Sequence, residues 1–145
     1  MTFDVMNASP AVAGTDYSTI AVTGTLAITA TSSDPFTISA ESIDPSSGEP
    51  GLANFNMAQS YQWTLATAGN IVGFNPSDFT FSTSLFANGL GGGSFSVSSD
   101  ATDIYLNFTP VPEPSTWALL ASGGALTAVL SFRRRRAGPT GVSPS

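Results

Sequence analysis

The stretch YSTIAVTGTLAITAT, residues 17 to 31, alternates apolar and small polar residues with a period of two. Ile20 and Val22 share one parity. Beyond Gly24 the positions Leu26, Ile28 and Ala30 continue it, and Thr and Ser fill the other. Strand side chains point alternately to opposite faces, so this pattern calls for a half-buried strand rather than the 3.6-residue stripe of a helix. The pattern recurs at Phe36, Ile38 and Ala40, at Tyr61, Trp63 and Leu65, and at Phe79 and Phe81 followed by Leu85. It closes with Phe95 and Val97, then Ile104, Leu106 and Phe108. Turn-forming clusters separate the runs: SSDP at 32–35, DPSSGEPG at 44–51, NPSD at 75–78 and NGLGGG at 88–93.

No stretch before residue 115 carries a helical period, and residues 1–16 are small and polar with a short apolar opening. Short strands at close spacing predict an all-β domain over residues 1–109. It is either an antiparallel β-sandwich or the terminal rungs of a β-solenoid, and no internal repeat of fixed length decides between them. Ten Phe residues supply most of the apolar area for a core, which is the role expected of the aromatic positions.

Charge is segregated along the chain. Asp4, Asp16, Asp34, Glu41, Asp44, Glu49, Asp78, Asp100, Asp103 and Glu113 precede any Lys or Arg, and the four cations are Arg133, Arg134, Arg135 and Arg136. The body therefore has no Lys or Arg partner for its carboxylates, and apolar burial and hydrogen bonds must hold it together. It has nothing with which to neutralise phosphates, which excludes nucleic acid as a partner of the body. The chain also lacks Cys and His, so disulfides, thiolate chemistry and imidazole catalysis are excluded together.

Residues 110–115, PVPEPS, form a linker whose three prolines favour an extended path. Residues 116–132 follow without a charge. As a helix they would span about 25 Å at roughly 1.5 Å per residue, slightly short of a hydrocarbon core of about 30 Å. Leu119, Leu120, Leu126, Val129, Leu130 and Phe132 are strongly apolar and together favour insertion by roughly 3 kcal/mol. The flanks agree with a span: Trp117 stands at its leading edge and Arg133 to Arg136 follow its trailing edge. The positive-inside rule then places residues 133–145 in the cytoplasm as a stop signal, residues 116–132 in the membrane as a single transmembrane helix, and the body outside.

The order Val111, Pro112-Glu113-Pro114, Ser115-Thr116, Trp117, a short apolar span and a C-terminal Arg cluster resembles the PEP-CTERM protein-sorting tail of Gram-negative bacteria. The resemblance covers about residues 110 to 137. It implies export, transient anchoring in the inner membrane, recognition by an exosortase and cleavage near the motif, which delivers the body to the cell surface or the extracellular matrix. Such proteins often occur in exopolysaccharide-producing bacteria, which adds exopolysaccharide and other surface proteins as expected partners. The family needs a signal peptide, and residues 1–16 have neither a basic start nor a continuous apolar run. The chain is accordingly expected to begin inside a longer reading frame. DYSTIAVTGTLAI and TDIYLNFTPVPEPST also resemble the final section of surface proteins with autotransporter-associated β-strand repeats, which implies the last rungs and cap of a solenoid.

Nucleophilic systems built on His, Cys or Lys are absent from the body. The glycine stretch GLGGGS (89–94) lacks the lysine of a phosphate loop. Asp44 with Glu49, and Asp100 with Asp103, are the closest acidic pairs. Neither spacing reproduces a Ca²⁺ loop, and exposed turn carboxylates account for them. The expectation is a non-enzymatic structural or adhesive body with no metal, cofactor or catalytic residue. The alternative is a secreted hydrolase, for example a glycan-acting one using a carboxylate pair, or a fragment of one bearing the same tail.

Overall fold

The computed structural model describes residues 1–111, which form one compact unit, Met1–Val111. The linker from Pro112 onward, the transmembrane helix expected at 116–132 and the tail at 133–145 lie outside the described residues. Among the described residues no helix is long and apolar enough to cross a membrane.

The body is all β, as expected. Its strands are β1 (Thr2–Val5), β2 (Ile20–Ala27), β3 (Phe36–Ser42), β4 (Tyr61–Val72), β5 (Phe79–Leu85), β6 (Ser94–Ser99) and β7 (Asp103–Thr109). A single 3₁₀ turn, Pro76–Asp78, precedes β5, and the Asn75 side chain caps it by accepting from the Ser77 N–H. The chain alternates between two sheets. One has the order β1-β3-β5 and the other β2-β4-β7-β6.

Strand direction departs from an antiparallel sandwich. β1 pairs with β3, β3 with β5, and β2 with β4, all in parallel; β7 alone makes antiparallel pairs, with β4 on one side and β6 on the other. Parallel neighbours in one sheet need a connection that returns the chain to its starting end. Here β2 makes that return between β1 and β3, and β4 makes it between β3 and β5. The winding stops at β6, which turns back as a hairpin with β7.

The inward residues of both sheets share one core. Phe3 and Val5 of β1, Ile38 of β3, Trp63 of β4, and Leu106 and Phe108 of β7 are almost completely buried. Phe3 reaches across to Trp63 with ring centroids 6.1 Å apart, and Trp63 stacks on Tyr61 at 5.3 Å and 14°. Phe55 continues the cluster from Tyr61, 5.2 Å away, and meets Phe108 at 4.9 Å and Phe86 at 5.2 Å, both edge-on. Such pairs each contribute about 0.5–1.5 kcal/mol beyond the area they bury.

Three expectations change. A strand, β1, lies inside the segment read as polar and small, with Phe3 and Val5 fully buried. Ile20, Phe36 and Leu85 are 43 %, 41 % and 49 % exposed instead of entering the core. Phe36 opens β3 at the end of the sheet, and an irregularity between Ser39 and Glu41 shifts the β3–β5 register, so that Leu85 falls opposite Glu41 rather than continuing the inward parity of Phe79. The strand over 17–31 is shorter than its alternation suggested. It carries a bulge between Val22 and Thr25 at Gly24, whose φ of +98° suits glycine.

Two of the four sheet edges, those of β1 and β2, carry features that discourage further pairing. The outer edge of β1 is covered by its own chain: Ser18 N–H donates to the Asp4 carbonyl at 3.0 Å, and Asp4 N–H donates to Ser18 Oγ at 3.1 Å. At the β2 edge of the other sheet a bulge interrupts the strand, a recognised way of discouraging strand addition.

Candidate functional site

The candidate site is the point where the body hands over to the tail. β7 is an interior strand, with six paired positions on each side. Its inward residues Ile104, Leu106 and Phe108 are 2 %, 0 % and 1 % exposed. The last pair joins Ser94 to Thr109. Val111, two residues on, is already 53 % exposed. Ordered strand thus gives way to accessible chain within two residues.

The turn before β6 is shaped to this exit. A Cβ built on Gly93 would meet Phe108 Cε2 at 2.8 Å and the Thr109 carbonyl oxygen at 2.9 Å, while one on Gly92 would lie 3.5 Å from Val111 Cγ2. Glycine at 93 lets the turn lie directly on the buried ring of Phe108. The glycine run was legible only as a flexible turn. A glycine at a strand boundary also signals close backbone approach, and that signal would have located this packing.

Of the residues read as the sorting and processing motif, Val111 is the one that falls among the described residues. Pro112, Glu113, Pro114, Ser115 and Thr116 lie outside them. So do the anchor positions Trp117, Leu119, Leu120, Leu126, Val129, Leu130 and Phe132, and the stop signal Arg133 to Arg136.

The acidic groups of the body act as turn acceptors. Asp100 Oδ1 accepts from the Thr102 and Asp103 N–H groups at 2.9 and 2.8 Å, and its Oδ2 accepts from the Tyr105 hydroxyl at 2.8 Å. These bonds, the Thr102 N–H foremost, hold the Asp100 carboxyl below its ordinary range, and the bond to Asp100 raises the Tyr105 phenol. Asp103 accepts from the Thr67 and Thr102 hydroxyls at 2.7 and 2.9 Å. Asp100 and Asp103 are brought together directly, by the Asp103 N–H on Asp100 Oδ1 and the Asp100 N–H on the Asp103 carbonyl at 3.0 Å.

Asp44 is lowered by the Ser46 hydroxyl and then by the Ser46 N–H, and meets Glu49 through a backbone bond at 2.9 Å. Asp16 is lowered by the Asn7 amide and then by the Val12 N–H. A general acid working near neutral pH needs a raised carboxyl; these three move the opposite way. Among the described residues no group of three or more Asp, Glu, His or Cys could hold a metal ion.

Against this geometry stand the comparisons with known proteins. A protein-family model, the PEP-CTERM protein-sorting motif, matches residues 110–136. No curated protein matches the chain, and no solved structure does. The match begins at Pro110, the residue after β7 ends. The chain therefore carries a PEP-CTERM sorting signal. That signal implies export to the cell surface, transient anchoring in the membrane and processing by an exosortase.

Proposed function

We propose that the chain is a non-enzymatic surface or extracellular-matrix protein, delivered by its tail and released when an exosortase cuts near Pro112-Glu113-Pro114. The sorting motif at residues 110–136 carries this reading. In it, Pro110 to Ser115 present the cutting region outside the membrane, residues 116–132 form a marginal span suited to a temporary anchor, and Arg133 to Arg136 stay in the cytoplasm.

The body in this reading is the terminal section of a parallel β-solenoid. Two features support it: strands that alternate between sheets while pairing in parallel, and the antiparallel β6–β7 hairpin that ends the winding. Such a body serves as a scaffold or adhesive element, with exopolysaccharide or other surface proteins as partners.

The test is to express the chain behind an export signal in a host with an exosortase and in one without. Intact masses of envelope-bound and released forms are then compared. Loss of a C-terminal peptide containing Arg133 to Arg136 is expected in the first host, and Glu113→Ala should abolish it. A full-length product in the inner membrane of both hosts would refute the sorting mechanism.

A further inference from the structure

The four strand edges of the body are not equivalent. Ser18 bonds along β1, and register irregularities interrupt β2 between Val22 and Thr25 and β5 between Ser82 and Leu85. β6 has none of these devices. It pairs with β7 through six consecutive positions without an irregularity, and its sequence SFSVSS contains no charge and no proline. No turn or loop among the described residues bonds to its free side. The strand therefore presents a row of backbone N–H and C=O groups with no strand to receive them.

The chemistry of β6 selects its partner. Around Ser96 the strand reads alike in both directions. Phe95 and Val97 flank it and are buried, and Ser94 and Ser98 lie beyond them. Two antiparallel copies related by a two-fold axis at Ser96 would set Ser96 against Ser96, Phe95 against Val97, and Ser94 against Ser98. Each pair then shares a face, apolar with apolar toward the core and hydroxyl with hydroxyl toward water. A centre between two residues would instead set inward positions of one strand beside outward positions of the other. Charge points the same way. The body's carboxylates oppose contact between copies elsewhere, but none lies on β6, and Asp100, just beyond its end, would fall beside Gly92 of the second copy. A cationic partner finds no carboxylate on this strand to meet.

We propose that the free edge of β6 is a self-association site, at which a second copy of this chain adds antiparallel and doubles the four-stranded sheet. The pairing uses up β6 of both copies, and the other edges are covered or bulged, so association closes at a dimer instead of growing into a fibre. The site is independent of the sorting signal, because both strands belong to the body.

The chain has no Cys, so single cysteines report the register directly. The full chain, purified in detergent, is treated with a short linker that joins two thiols. Ser96→Cys should cross-link to itself. Ser94→Cys and Ser98→Cys should cross-link when mixed; each alone holds its two thiols about 13 Å apart, four residues at roughly 3.3 Å, and should not. Thr80→Cys, exposed on the other sheet, is the control and should stay uncrosslinked. Sedimentation equilibrium of the parent should show monomer and dimer. Ser96→Glu opposes two carboxylates at the axis and should raise the dimer dissociation constant about tenfold or more, with an unchanged circular dichroism spectrum. Three results would each overturn the proposal: a parent that is monomeric at every concentration, a Ser96→Glu variant that dimerises like the parent, or Thr80→Cys cross-linking as fast as Ser96→Cys. Growth past the dimer into fibres would also overturn it, assigning the edge to open stacking instead.

Discussion

Gly93→Ala measures how tightly the exit of β7 is closed. The added methyl carbon would stand 2.8 Å from Phe108 Cε2 and 2.9 Å from the Thr109 carbonyl oxygen. The ring cannot swing away, because it is 1 % exposed and held by Phe55 at 4.9 Å, Phe95 at 5.4 Å and Tyr61 at 6.4 Å. Overpacking of this kind costs about 1–3 kcal/mol. Replacing glycine also removes freedom from the unfolded chain, which returns about 0.4–1 kcal/mol. The net expectation is a loss of about 1–2 kcal/mol, or about 2–4 °C in Tm for each kcal/mol in a chain of this size. The clash has a named partner, so a double-mutant cycle isolates it. In a Phe108→Leu background the methyl has room, and Gly93→Ala should cost less than about 0.5 kcal/mol. Urea unfolding of the four proteins, followed by circular dichroism, gives the coupling. Costs that add within about 0.5 kcal/mol would mean the glycine is not there for Phe108, and the packing argument at the exit fails.

Trp63 is 1 % exposed, and its Nε1 has no hydrogen-bond partner among the described residues. Trp63→Ala should cost about 3–5 kcal/mol. Trp63→Phe removes the unpaired donor, worth about 1–3 kcal/mol, and should come within about 1 kcal/mol of the parent; similar losses in the two variants would contradict this. Ser42 is fully buried, and its Oγ accepts from the Ala87 N–H at 2.7 Å. Ser42→Ala should cost about 1–3 kcal/mol and speed hydrogen exchange at Ala87, so unchanged protection there would rule the bond out as the anchor. The lowered carboxyls of Asp16, Asp44 and Asp100 contribute stability that is fully present above their ordinary pKa of 3.8 and is lost as pH falls through their lower folded values. A variant with Asn at all three positions should lose that part of the acid-side slope of the urea midpoint, and an unaltered slope would count against the bonds. Asp100→Asn should also bring the Tyr105 phenol back down toward 10.0, readable by ultraviolet titration.

The residues that sequence placed best lie on the interior strands of the larger sheet. Alternation at Trp63 and Leu65, Phe95 and Val97, and Ile104, Leu106 and Phe108 matches their burial, because one face of those strands meets the core and the other meets water. Strand direction was not legible. Alternation is the same in parallel and antiparallel sheets, and the choice is made by connections that cross between layers. β1 escaped notice because four residues, TFDV, give too short a pattern, and pairing with β3 rather than local preference makes it a strand. Register irregularities at Val22/Thr25, Ser39/Glu41 and Thr64/Ala66 displace the parity count, which is why Leu85 was misplaced. The sorting motif at residues 110–136 was legible because it is written in consecutive residues. The packing of Gly93 on Phe108 joins positions fifteen residues apart and needed the fold.

The position of β7 has a mechanical consequence. Any tension carried by the tail enters the body at Thr109, the end of a strand bonded on both flanks. Inter-strand bonds run perpendicular to such a strand, so a pull along it loads both rows in shear, all together, instead of opening them one after another. Had the chain left from β6, which has a partner on one side only, the same tension would have been borne by a single row. The body is thus held at the exit of the tail by two rows of strand bonds rather than one.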